Sequence, residues 1–211
     1  LFAQEYVPTH GRELPRGELL AYPSAEAATA SDGGDNRYFT RLTEWSLDGN
    51  VFSTDFTVPF AWANRQVLFH LGWASGDYEL RVNGRPAACN ADGNTPAEFN
   101  LTKLTKEGRN SLEIVVAQPS PTAPLESWKE APRPAIGGAW VMSQPTLHIR
   151  DVITRTRLAE DGSATAEVAV VLKSDALNPR TSRIHYELLD PTGERAAAVH
   201  KDCTLDMRRE D

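Results

Sequence analysis

The sequence contains no run of about 18 apolar residues, the length a helix needs to cross a bilayer, so no membrane-spanning helix is expected. It has no surplus of basic charge either. Its 22 Lys and Arg stand against 29 Asp and Glu, for a net charge of −7. Nucleic acid is held by a concentrated basic surface, and here the cations are scattered, which excludes it as a partner. Cysteine is scarce: Cys89 and Cys203 form no CxxC or Cys/His cluster, so they are read as two unpaired thiols without zinc. No DxDxDG-like cluster offers a calcium site. No GxSxG or HExxH motif occurs, and His10, His70, His148, His185 and His200 lie in no triad-like context. Gly137 and Gly138 follow no strand-to-helix transition, so no dinucleotide site is expected. The expectation is therefore no metal and no cofactor.

What is present is strand pattern. In QVLFHLGWASGDYELRVNGRPAACNADGNTPAEFNL (66–101), Val67, Phe69 and Leu71 alternate with Leu68, His70 and Gly72, which makes an apolar run fit for a buried strand. Tyr78, Leu80 and Val82 alternate with Glu79 and Arg81, the period of a half-buried strand. Asn83-Gly84 follows at once, and both residues tolerate the positive φ of a tight hairpin turn. A long polar loop is then expected, closed by a further strand. His70, inside an apolar strand, reads as a core or interface histidine, and Trp73 and Tyr78 read as part of the sandwich.

These segments, VLFHLGWASGDYELRVNG (67–84), NTPAEFNLT (94–102) and GRNSLEIVV (108–116), resemble the sugar-binding domain of glycoside hydrolase family 2. That family includes β-galactosidases, β-glucuronidases and β-mannosidases. The resemblance is close over about 50–118 and looser to 150. It implies an all-β chain: a jelly-roll, galactose-binding-domain-like β-sandwich, followed by a partial immunoglobulin-like β-sandwich. The expected boundaries are 1–149 and 150–211.

Before the sandwich, residues 1–37 are rich in Pro, Gly, Ala, Ser and Asp, with Ser24 placed to cap a short helix over 24–28. Residues 118–138 carry five of the chain's 14 prolines and read as an excursion between strands. After Asp151, strand-like runs fall at 152–158, 166–172 and 184–189, joined by turn-rich links. An immunoglobulin-like domain takes about 100 residues. With about 60 left, the second domain is expected to be truncated, and homo-oligomer formation through open strand edges is left open.

A retaining glycosidase needs two carboxyl groups facing each other across the scissile bond. In family 2 both come from a (β/α)₈ barrel, which takes about 250 residues. No strand–helix alternation occurs here, so no catalytic residue is assigned and the chain alone is expected to be inactive. Carbohydrate contact remains. Sugars are held by placed polar groups and by aromatic faces under their C–H surfaces. Leu125-Glu126-Ser127-Trp128 keeps part of the family's acidic, tryptophan-bearing loop, so the resemblance nominates Glu126 and Trp128 for sugar contact. The acid that reaches the sugar or its sodium ion in β-galactosidases has no counterpart here. Sodium binding and strict galactose specificity are therefore not carried over. Asp92 and Asn94, in the NADGN loop, are a second nomination; such residues also serve as simple turn formers.

The expected function is the non-catalytic sugar-binding region of a family 2 glycoside hydrolase, with a β-galactosidase-like parent and a β-glycoside as partner through the parent's active site. The alternatives are a stand-alone carbohydrate-binding module and a structural sandwich without ligand. Leu1-Phe2-Ala3 before Gln4-Glu5 is compatible with the tail of a cleaved export signal, giving a periplasmic or secreted location, against a cytoplasmic one otherwise.

Overall fold

The computed structural model describes residues 9–30, 36–117 and 133–206, with the backbone of 209–210. The chain divides into two compact units, Leu1–Pro145 and Thr146–Asp211.

In the first unit a one-turn helix, α1 (Ala25–Thr29), is capped by Ser24, whose Oγ accepts from the Ala27 amide at 3.2 Å. The strands are β1 (Phe39–Arg41), β2 (Ser46–Asp48), β3 (Val51–Val58), β4 (Arg65–Ala74), β5 (Tyr78–Val82), β6 (Arg85–Asn90), β7 (Ala97–Asn100), β8 (Gly108–Val116) and β9 (Ile136–Pro145). All pairings are antiparallel. They make a four-stranded sheet in the order β1-β9-β4-β7 and a five-stranded sheet in the order β2-β3-β8-β5-β6.

The alternation in the sequence decides which face each strand buries. Val67, Phe69 and Leu71 of β4, Phe99 of β7 and Val141 of β9 point into one core. Phe52 and Phe56 of β3, Tyr78, Leu80 and Val82 of β5, and Leu112, Ile114 and Val116 of β8 meet them there. This is a β-sandwich core, built by two inner faces that interdigitate. Tyr78 is a sandwich residue, as its pattern implies, packed edge-on against Phe99 with ring centroids 6.1 Å apart.

β4 is buried on its other face too, which explains why its run is apolar at successive positions. Leu68 packs with Trp140 and Met142 of β9, and Leu20 and Phe39 close over them. The cover is an N-terminal strap that hydrogen-bonds along the sandwich. His10 and Cys89 exchange backbone bonds at 2.8 and 3.1 Å, and the Glu13 amide donates to the Glu98 carbonyl at 2.8 Å.

Three sequence expectations are corrected. Residues 85–90 form β6 rather than the start of a polar loop. This strand is held by β5 on one side and capped on the other by the strap at Cys89, with Pro86 at a position an edge strand tolerates. β9 begins at Ile136, so Gly137 and Gly138 lie inside a strand rather than in the proline-rich excursion. Trp73 does not pack into the sandwich, and stands 45% exposed at the end of β4.

The second unit is made of long strands: β10 (Leu147–Leu158) pairs with β11 (Ala164–Ser174), and β12 (Arg180–Leu189) with β13 (Arg195–Leu205). A short β14 (Arg209–Glu210) adds to β11. β13 pairs with β12 over nearly its whole length but carries no apolar alternation of its own. Cys89 and Cys203 are not joined in a disulfide.

Candidate functional site

One end of the first unit gathers the segments that the sequence singled out. β4 runs into a corner at Ser75–Asp77, the loop 91–96 lies beside it, and both flanks of 118–132 arrive there. The Ala74 amide donates to the Gly93 carbonyl at 2.7 Å and the Ser75 amide to the Ala135 carbonyl at 2.9 Å. In return the Ala135 amide donates to Ser75 Oγ at 2.9 Å. On the other flank the Ala117 amide donates to the Asp77 carbonyl at 2.7 Å. Glu126 and Trp128 belong to this connection and lie outside the described residues.

Loop 91–96 is fixed from three sides. A Cβ on Gly93 would stand 2.4 Å from the Gly76 carbonyl oxygen, so only glycine permits the approach. Asn90 is fully buried and donates from Nδ2 to the Asp92 carbonyl at 2.5 Å and to the Tyr78 hydroxyl at 3.1 Å. Burial pushes the Tyr78 phenol well above its ordinary value, so it stays neutral. From the strap, the Arg12 guanidinium donates to Asn90 Oδ1 at 3.3 Å, to Thr95 Oγ1 at 3.1 Å and to the Pro96 carbonyl at 3.1 Å.

Asp92 is largely a turn residue in this arrangement. Its carboxylate accepts from the Thr95 amide at 3.1 Å and from the Thr95 hydroxyl, and Arg12 stands 3.5 Å away. Burial acts to raise its pKa, but the Thr95 bonds and the Arg12 charge outweigh it and hold the carboxyl below its usual value. Asn94 sits exposed at the loop tip.

Among the described residues, two cavities of about 510 Å³ or more flank the sandwich. One, of about 510 Å³, lies between the strap and the β7 edge, with Arg12, Arg16, His70, Asp92 and Glu98 among its walls. Arg16 clamps Glu98 through Nε at 2.7 Å and Nη2 at 3.0 Å. His70 Nδ1 is 4.0 Å from the same carboxylate. These charges are satisfied by each other rather than presented. The other cavity, of about 570 Å³, opens over the outer face of β3 and β8, where Trp45 donates its indole N–H to the Leu42 carbonyl at 2.9 Å. The sequence pattern did not point to Arg12, Arg16 or Glu98, because the strap has no periodicity. Among the described residues no group of three His, Cys, Asp or Glu could hold a metal ion, and no helix is long and apolar enough to cross a membrane.

A polar corner and a rigid loop thus meet at one end of the β-sandwich. No family model matches the chain. It is similar to the β-galactosidase of Yersinia pestis bv. Antiqua (strain Angola), at 29% identity over 144 residues that cover 65% of this chain and 14% of the relative. The β-galactosidase of Yersinia pseudotuberculosis serotype I (strain IP32953) matches equally, at 29% identity with 13% of the relative covered. Among solved structures, a β-glucuronidase from Bacteroides uniformis superposes with a TM-score of 0.62 at 20% identity, over 76% of this chain and 20% of that one. A glycosyl hydrolase family 2 member from Bacteroides cellulosilyticus superposes with a TM-score of 0.64 at 17% identity, over 76% and 22%. The resemblance to the N-terminal region of glycoside hydrolase family 2 holds in both sequence and fold. The chain spans about 14% of the length of the β-galactosidase it matches, a share that fits a non-catalytic N-terminal region.

Proposed function

We propose that the chain serves as the sugar-contacting, non-catalytic wall of an enzyme that hydrolyses terminal β-glycosides, with β-galactosides as the first choice of substrate. The observation that carries this reading is the alignment of 144 residues with β-galactosidases, in a chain whose described elements contain no strand–helix alternation. The two carboxyl groups that cleave a glycoside with retention would then come from outside this chain, and the sandwich would shape one side of their pocket. The structural neighbours include β-glucuronidases, but sequence identity favours the galactoside. The exposed Trp73 also supports a second reading, a carbohydrate-binding module that works by itself.

Turnover of nitrophenyl β-glycosides tests the proposal. The 211-residue chain should release no nitrophenol from the β-galactoside or the β-glucuronide. The full reading frame that contains it should hydrolyse the β-galactoside with retained anomeric configuration, as followed by NMR. Inversion, or a full reading frame without hydrolase activity, would sink the proposal and favour the binding module.

A further inference from the structure

We propose that Trp73 is an aromatic platform for the apolar face of a neutral pyranoside, held in place by the backbone of Gly137. The inference rests on the carbohydrate reading above and assigns it a residue.

Trp73 pairs directly across the sheet with Gly137. A Cβ at Gly137 would lie 2.5 Å from Trp73 Nε1 and 2.8 Å from Cε2, so the indole occupies the space that any other residue would fill. Two more glycines let the paired strands approach closely beside it. A Cβ on Gly72 would stand 3.0 Å from the Gly137 carbonyl oxygen, and Gly138, at φ +67°, approaches the Gly72 Cα. Glycine inside a strand weakens it and marks a close approach of backbone or ligand. Gly137 sets the ring against backbone on one side, Gly72 and Gly138 let the two strands approach closely beside it, and the indole is left 45% exposed.

An indole in a sandwich would normally be buried, with its N–H bonded. Here the ring is exposed and its Nε1–H has no hydrogen-bond partner among the described residues. Neutral polar groups stand nearby in the chain. Ser75 Oγ accepts from the Ala135 amide, which leaves the hydroxyl proton to donate, and Asn94 is exposed on the neighbouring loop. A flat apolar surface with an indole N–H at its edge and a hydroxyl close by in the chain matches a pyranose. Such a ring has one face of C–H groups and a rim of hydroxyls. The alignment with β-galactosidases favours a neutral hexoside as the occupant.

The test titrates the 211-residue chain with methyl β-D-galactopyranoside and follows indole fluorescence and saturation transfer to the sugar ring protons. Saturation should concentrate on the protons of one ring face. Trp73→Ala should weaken binding by about tenfold or more, the scale of one aromatic contact, and Trp73→Phe should recover part of it. Gly137→Ala keeps the tryptophan but puts a methyl where the indole sits, and should lose binding to a similar degree. Circular dichroism of each variant reports whether the sandwich is intact; should Trp73→Ala unfold, the Phe and Gly137 variants carry the test. Folded variants that bind like the parent would overturn the inference and leave the glycosidase reading untouched. A parent chain that binds no galactoside would overturn it as well, because the glycosidase reading is judged separately by turnover of the full reading frame.

Discussion

The imidazole of His70 lies flat on the indole of Trp140, with ring centroids 3.7 Å apart and planes inclined by 6°. His70 projects from β4 on the side away from the main core, and its partner comes from the neighbouring β9 in direct register. The strap covers this layer with Leu20 and lines the cavity beside His70, so the imidazole is largely withdrawn from water. Desolvation is the main influence on His70 and lowers its pKa. Glu98 and Glu18 act in the opposite direction, and Arg16 acts with the desolvation.

The depressed pKa has a sign for stability. Between the folded-state value and the ordinary 6.5, the unfolded chain binds a proton that the folded chain refuses, so stability rises with pH across that window. The thermal midpoint should therefore fall as the pH is lowered from about 6.5 through the folded pKa of His70. His70→Gln should flatten this dependence relative to the parent, since it removes the titrating group from the layer. Melting curves recorded from mildly acidic to neutral pH would settle it, and an equally steep slope in the variant would count against His70 as the source.

A second prediction concerns the strap. Arg16 and Glu98 form a two-pronged ion pair with side chains only 4% and 14% exposed. Removing one partner of a buried pair strands the other charge, at a cost of about 3 kcal/mol. Arg16→Ala should lower stability on that scale and should raise the hydrogen-exchange rate of the Glu13 amide, which bonds to the Glu98 backbone. The Asp55–Arg109 pair, at 2.6 Å but exposed, supplies the contrast. Its Arg109→Ala variant should leave stability nearly unchanged. Equal effects in chemical denaturation would contradict the difference in burial.

The strands that were legible in the sequence are those whose burial follows their own alternation. Val67, Phe69 and Leu71 on β4, or Leu112, Ile114 and Val116 on β8, announce a face because every second side chain enters the core. β6 and β13 did not, since neighbours decide them. Ala88 and Asn90 are buried by β5 and the strap, and Ala197 and Ala198 are strand because β12 pairs with them. The site was legible only in part. Loop 91–96 could be placed from Asp92-Gly93-Asn94, but its clamp, Arg12, lies 80 residues away from Asp92 in a segment without period. Trp73 was misread because alternation describes strands, and the position where β4 ends and glycines replace the cover is a tertiary fact.

The Asn83-Gly84 turn separates two costs that a sequence pattern treats as one. Both residues adopt positive φ, 51° and 72°, as the tight turn from β5 into β6 requires. At Gly84 a Cβ would meet nothing within 4 Å, so Gly84→Ala should pay only the backbone strain, about 1 kcal/mol. Asn83 does more than bend. Its Nδ2 donates to the Leu104 carbonyl and to Asn110 Oδ1, each at 2.9 Å, while its Oδ1 accepts from the Ser111 amide at 3.1 Å. Asn110 is itself buried and holds the Lys106 amide and carbonyl, so this network ties the hairpin to the approach of β8. Asn83→Ala loses these bonds and keeps the strained φ, for a cost of about 3 kcal/mol. Asn83→Gly relieves the strain but not the lost bonds, and should fall between the other two. Urea denaturation of the three variants would test the ordering, and an Asn83→Ala no worse than Gly84→Ala would show that the network contributes little.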